Sequence, residues 1–227
     1  MKKIKNPLIR RIPKDLIGDW KKYLVVFLFL VLTIGFVSGM YVANESMITS
    51  ANEGVTKYKQ EDGHFELKKQ ADATLLSAIE TGEKADFKAT KTTLYENFFR
   101  NEEEDYNNDG KKDGTIRVFA KTKDINLACM LQGSFPQKAD EIAIDRMHAD
   151  NVGIKVGDTV TVSGETYKVV GLLAYVNYST LHEKTTDLMF DALKFDVAMV
   201  TQDGFDRLHK SIHYTYAWKY ETEPADE

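Results

Sequence analysis

The chain has 227 residues, with 30 basic and 35 acidic side chains, a net charge of −5 and one cysteine. That length and an ordinary apolar content suffice for a folded domain and exclude a disordered chain. An acidic balance argues against nucleic acid as a partner, which needs a basic surface, and a lone cysteine excludes an internal disulfide.

The charge is unevenly placed. Residues 1–22 hold eight basic and two acidic side chains, a net of +6, and the remainder carries −11. Within this leader Leu8, Ile9, Ile12, Leu16, Ile17 and Trp20 recur at mostly helical spacing between basic residues. That pattern reads as an interfacial amphipathic helix, interrupted at Pro7 and Pro13, or as a basic topology signal alone. Tyr23 to Asn44 then has no charged side chain. As an α-helix it covers roughly 33 Å, enough for a hydrocarbon core of about 30 Å, and in lipid such a run must be helical to pair its own backbone. The basic flank stays cytoplasmic. A secretory signal is the rival, but its apolar region is about 7–15 residues and ends at a small-x-small site; the exit Met40-Tyr41-Val42-Ala43-Asn44 offers none. The expected localisation is therefore the cell membrane, with one uncleaved span, the amino terminus inside and the main domain extracytoplasmic.

The domain layout that follows is a leader at 1–22, a membrane helix at 23–44, a helical stalk at 45–60 and an extracytoplasmic α+β domain at 61–227. From Glu45 to about Tyr58 nothing breaks the helix. His64 to Leu67 reads as a short strand, Lys69 to Thr81 as a helix, and Thr90 to Phe99 as a strand. The acidic Asn/Gly-rich tract up to Gly114 is expected to be a hairpin loop, ahead of a strand at Thr115 to Lys121 with Ile116, Val118 and Ala120 on one face. No element is assigned from Thr122 to Asp140; Cys129, in the apolar run LACML, is expected to be a buried small hydrophobe. Glu141 to Asp145 reads as a strand, Arg146 to Asn151 as a short helix stopped near Gly153, and Asp158 to Val162 and Thr166 to Leu173 as strands around a Ser163-Gly164-Glu165 turn. Lys194 to Val200 is expected as a strand, Gln202 to Lys210 as a helix and Tyr214 to Tyr220 as an aromatic strand. The fold class is thus α+β, a largely antiparallel sheet with short helices behind one membrane helix.

Residues Asp140 to Ala174, DEIAIDRMHADNVGIKVGDTVTVSGETYKVVGLLA, resemble the extracytoplasmic core of FtsX-like/MacB-type ABC transporter permeases. Glu141-Ile142 leading into a short helix, Gly153-Ile154-Lys155-Val156-Gly157-Asp158, Val160, Gly164 and Val169-Val170-Gly171 carry the likeness, which looks closest to permeases of Gram-positive type. The resemblance implies a MacB-like periplasmic core domain, a separate ABC ATPase subunit that binds ATP, a second permease subunit (identical or not), and export or mechanical signalling without catalytic residues in this chain. Such permeases re-enter the membrane several times further on; no second apolar run of that length occurs here, and the chain reads as the amino-terminal piece of a longer product. The other reading is a single-span anchored binding or adhesion module.

No Gly-x-x-x-x-Gly-Lys-Ser/Thr loop is present for ATP, and no nucleophile–base set stands out. One local motif is worth a metal. Asp105, Asn107, Asp109 and Asp113 occupy positions 1, 3, 5 and 9 of a calcium loop, with Gly110 at 6. Position 12 is Ile116 rather than Glu, and a solvated hairpin tip explains the same residues. His209 and His213, four apart, could share a helix face as zinc ligands do, but lack a third ligand.

Overall fold

The computed structural model describes residues 17–81, 92–178, 180–184 and 186–221. The leader's proposed amphipathic helix and the acidic tail lie for the most part outside this range. Residues up to Glu53 form one unit and those from Gly54 another. The division falls inside a single helix, α1 (Trp20–Lys57), of 38 residues, none of them buried. Among the described residues α1 alone is long and apolar enough to cross a membrane. It ends where Tyr58 N–H closes on the Gly54 carbonyl and Lys59 takes a positive φ of 49°.

The second unit contains two sheets. The smaller has the order β1 (Gly63–Leu67), β10 (Tyr214–Tyr220), β2 (Thr92–Glu96), all antiparallel. Tyr216 at its centre is fully buried, stacked on Phe65 and met edge-on by Phe98. Its hydroxyl accepts from Ala71 N–H at 2.9 Å, which ties the chain just ahead of α2 (Ala73–Thr81) to the sheet. The helix starts four residues later than the sequence predicts, because the Asp72 carboxylate caps Leu75 N–H at 2.8 Å.

The larger sheet runs β5 (Ala128–Gly133), β8 (Glu165–Tyr175), β6 (Glu141–Asp145), β9 (Phe195–Val200), β4 (Gly114–Ala120), β3 (Phe99–Asp105), β7 (Thr159–Val162). Strand β7 also pairs with the first residues of β8 through the turn at Ser163-Gly164, so six strands close into a small barrel. The long β8 carries β7 on one edge at Glu165–Lys168 and β5 on the same edge beyond Gly171, while β6 runs parallel along its other edge. Only β4–β9 and β6–β8 are parallel; the remaining pairs are antiparallel, as expected.

Alternation sorts the side chains. Ile116 and Val118 of β4, Ile142 and Ile144 of β6, Ala198 and Val200 of β9, and Val160 and Val162 of β7 fill the barrel. The opposite face, with Phe119, Ala143, Val197, Met199 and Leu173, forms a second cluster that the loop after β8 covers with Leu181 and Ala192. The barrel interior is capped by α3 (Arg146–Val152) and α4 (Gln202–Asp206). Helix α4 is shorter than predicted. The chain leaves it to deliver Lys210 N–H to Glu102 Oε1 at 3.0 Å, a bond to β3 that a continuing helix would forbid.

Three further expectations are corrected. The predicted strand Thr90 to Phe99 is two strands in different sheets, parted where Asn97 N–H bonds the Thr215 carbonyl. The acidic tract that follows is not all loop: FRNEEED is β3, and the hairpin connection is confined to Tyr106–Asp113. Cys129 lies in β5 and is half-buried, accepting from the Tyr58 hydroxyl at 2.8 Å, rather than enclosed in a core.

Candidate functional site

The predicted calcium-loop residues do come together at the β3–β4 turn. Asp105 accepts from Asp109 N–H at 3.0 Å and Gly110 N–H at 2.8 Å. Asn107 Oδ1 accepts from Asp109 N–H at 2.9 Å, and Asp113 from Tyr106 N–H at 3.1 Å and the Asn107 amide at 3.3 Å. Asp109 faces Lys111, whose ammonium at 3.1 Å holds its carboxyl below the usual range. Side-chain oxygens bonded to loop N–H groups set a tight turn, with Gly110 at φ 83° and Asn108 at 56°. Ile116, the twelfth position, is fully buried in the barrel and offers no oxygen.

His209 and His213 do not share a helix face. Both lie beyond α4, and His213 stacks on Phe99 with centroids 4.6 Å apart and contacts Glu66 at 2.8 Å.

A different cluster is built inside the barrel, next to the hairpin. Glu104 of β3, His148 of α3 and Asp196 of β9 are all fully buried. Glu104 and Glu102 share the inward face of β3, but their fates differ. Glu102 accepts from Ser163 Oγ at 2.5 Å and Lys210 N–H at 3.0 Å, whereas neither oxygen of Glu104 has a hydrogen bond among the described residues. Asp196 Oδ1 accepts from Val197 N–H at 2.7 Å and Asp145 N–H at 3.2 Å; Oδ2 has no hydrogen bond among the described residues. His148 is placed by the cap of its helix, where Asp145 Oδ1 accepts from Met147 N–H at 2.7 Å and His148 N–H at 3.4 Å. At the other end Gly153, at φ 84°, closes the helix on the Ala149 carbonyl.

The ring's orientation is fixed as well. His148 Nδ1 lies 2.7 Å from the Ala192 carbonyl. A carbonyl only accepts, so Nδ1 is the donor and Nε2 faces the acids. Nε2 and Glu104 Oε1 are 3.4 Å apart, close enough to pair as ions, but without the alignment of a hydrogen bond. Burial alone would push the imidazole pKa down; the charges of Asp196 and Glu104 and the Ala192 carbonyl outweigh it and raise it to about 9. Burial pushes Asp196 well up, reinforced by Glu104 and Asp145 and opposed by His148. One ligand atom from each of the three residues falls within 4.8 Å of the others.

Sequence reasoning missed this cluster because its members lie far apart in the chain. One signal was legible: in a strand Phe195–Val200, parity sets Asp196 on the face of Ala198 and Val200.

Neither a protein-family model nor a curated protein matches the chain. Solved structures similar to the chain include two extracytoplasmic domains of transporters. The extracellular domain of the noncanonic ABC-type transporter YknZ from Gram-positive bacteria is 13% identical, with a TM-score of 0.37, over 70% of this chain and 84% of that one. The periplasmic region of MacB from Actinobacillus actinomycetemcomitans is 10% identical, with a TM-score of 0.38, over 66% of each. The likeness is distant and one of shape alone.

Proposed function

We propose that this chain is the amino-terminal part of a permease subunit of an ABC transporter. Its span crosses the cell membrane with the amino terminus inside, and its α+β domain lies outside. ATP is hydrolysed by a separate ATPase subunit, and a second permease copy completes the assembly. The energy reaches the outer domain as motion, for export or for signalling to an external partner.

The observation that carries this reading is α1, unbroken from Trp20 to Lys57. Its uncharged stretch ends at Asn44, and the thirteen residues from Glu45 to Lys57 continue the same helix into the second unit. A helix of thirteen residues adds about 20 Å. On this reading the stretch from Glu45 to Lys57 is the transmitting element. The pattern Gly153 to Gly171 and the charge asymmetry of +6 against −11 support the same assignment.

The test is a flexible Gly-Ser insertion between Ser50 and Ala51 in the membrane complex purified with its ATPase. The insertion is expected to leave ATPase binding intact while abolishing the ATP-dependent displacement of a spin label at Lys111. A label that moves as before rules out the helix as transmitter, and a chain that purifies with no ATPase rules out the permease. In that last case the anchored-module reading takes over. It is favoured by the side-chain oxygens gathered between Asp105 and Asp113, and heat on titrating Ca²⁺ into the outer domain is its signature.

A further inference from the structure

The polar interior of the barrel is costly as protein alone. An ionised carboxylate without hydrogen bonds in a buried site carries a desolvation penalty of several kcal/mol. Here two buried oxygens of Glu104 and one of Asp196 have no hydrogen bond among the described residues, and one ligand atom from each of Glu104, His148 and Asp196 lies within 4.8 Å of the other two. With Nδ1–H given to Ala192, Nε2 turns to Glu104 Oε1, 3.4 Å away. A neutral imidazole would set lone pair against lone pair there. A positive charge therefore belongs among these atoms, supplied either by a proton on His148 or by a bound cation.

We propose that Glu104, His148 and Asp196 bind a divalent first-row transition cation, Zn²⁺ or Mn²⁺, inside the barrel. One imidazole nitrogen and two carboxylates suit these ions, and the two negative charges balance the cation. Ligands about 2.0–2.2 Å from a tetrahedral zinc stand roughly 3.4 Å apart, so the set, within 4.8 Å as it stands, closes only slightly on the ion. Calcium, which takes six to eight oxygens, is poorly matched; this site is separate from the hairpin loop.

The outer partners are those a metal site needs. The Ala192 carbonyl holds His148 in the tautomer that frees Nε2. The N–H groups of Asp145 and Val197 hold Asp196 by Oδ1 and leave Oδ2 without a hydrogen bond among the described residues. Such partners orient ligands and raise affinity. The Tyr106 ring meets His148 edge-on, with centroids 5.8 Å apart, and also lines a surface cleft with Asn108, Gly153 and Thr159. The inference does not depend on the transporter reading.

The experiment uses the full chain in detergent, purified without chelator. Its metal content is measured; it is then stripped and titrated with Zn²⁺ and Mn²⁺ while thermal unfolding is followed. One ion per chain and a raised Tm are expected. Asp196→Asn and Glu104→Gln should each weaken binding by roughly 10- to 100-fold or more, and Asp105→Asn in the hairpin should not. X-ray absorption of the zinc-loaded wild type, which needs no variant to fold, should fit one imidazole nitrogen and carboxylate oxygens. An unmetallated wild type whose Tm ignores both ions overturns the proposal and leaves the cluster neutralised by protons alone. Binding that survives both substitutions, or an absorption spectrum without imidazole, overturns it equally.

Discussion

Gly171 shows what a single residue decides. It pairs with Ala143 of β6 on one side and Gly133 of β5 on the other, at the point where β8 exchanges β7 for β5 along one edge. A Cβ there would lie 2.5 Å from the Ser134 carbonyl oxygen and 2.7 Å from Met130 Sδ. The thioether can move, but Ser134 is pinned by its own N–H on the Val170 carbonyl at 2.9 Å. Gly171→Ala should therefore destabilise the domain by about 1–3 kcal/mol, measured by urea unfolding of the outer domain in the wild-type and substituted chains. Sequence places this glycine in a motif, Val169-Val170-Gly171, but its reason is a close approach of strands distant in the chain. Glu104 makes the complementary point. In a run of three glutamates its neighbour Glu103 is exposed and pairs with Lys210 at 2.9 Å, while Glu104 is wholly buried; only the pairing of β3 with β4 and β7 tells them apart.

Elements whose ends are signalled locally were legible. The unit β6–α3 was read nearly to the residue, because Asp145 caps the helix, Gly153 ends it in the left-handed region, and Glu141 to Asp145 is a short apolar run. The alternation of Ile116, Val118 and Ala120 gave β4 its inward face. Strand β5 and the acidic strand β3 were not legible. Both are made by pairing with β8 and with β4, contacts that no local pattern encodes. The end of α4 was lost for the same reason, since the Lys210–Glu102 bond spans most of the domain's sequence. The cap makes a prediction at this scale. Asp145→Ala removes the acceptor for Met147 and His148 N–H and should cost about 0.5–2 kcal/mol. Because α3 covers the barrel's polar end, the loss should appear as faster amide exchange of α3 rather than of the β1–β10–β2 sheet.

At the scale of the whole molecule, the sequence told which part is a long apolar helix and which part is folded domain, because charge and apolar run length are properties of composition along the chain. Closure of six strands into a barrel was beyond its reach: the β7–β8 hairpin is local, but the β3–β7 contact that closes the ring joins segments separated by three other strands and a helix. The account as a whole rests on a helix that crosses the membrane and an acidic domain on its outer side. Impermeant maleimide labelling of intact cells tests this most directly, with Cys129 replaced by serine and single cysteines introduced by Lys111→Cys, at an exposed hairpin position, or by Lys3→Cys in the leader. The account predicts that the protein labelled at position 111 stays in the membrane fraction at full length and reacts before permeabilisation, and that position 3 reacts only after it. Labelling in the opposite order, or a reactive position 111 on a shortened chain released from the membrane, would contradict it.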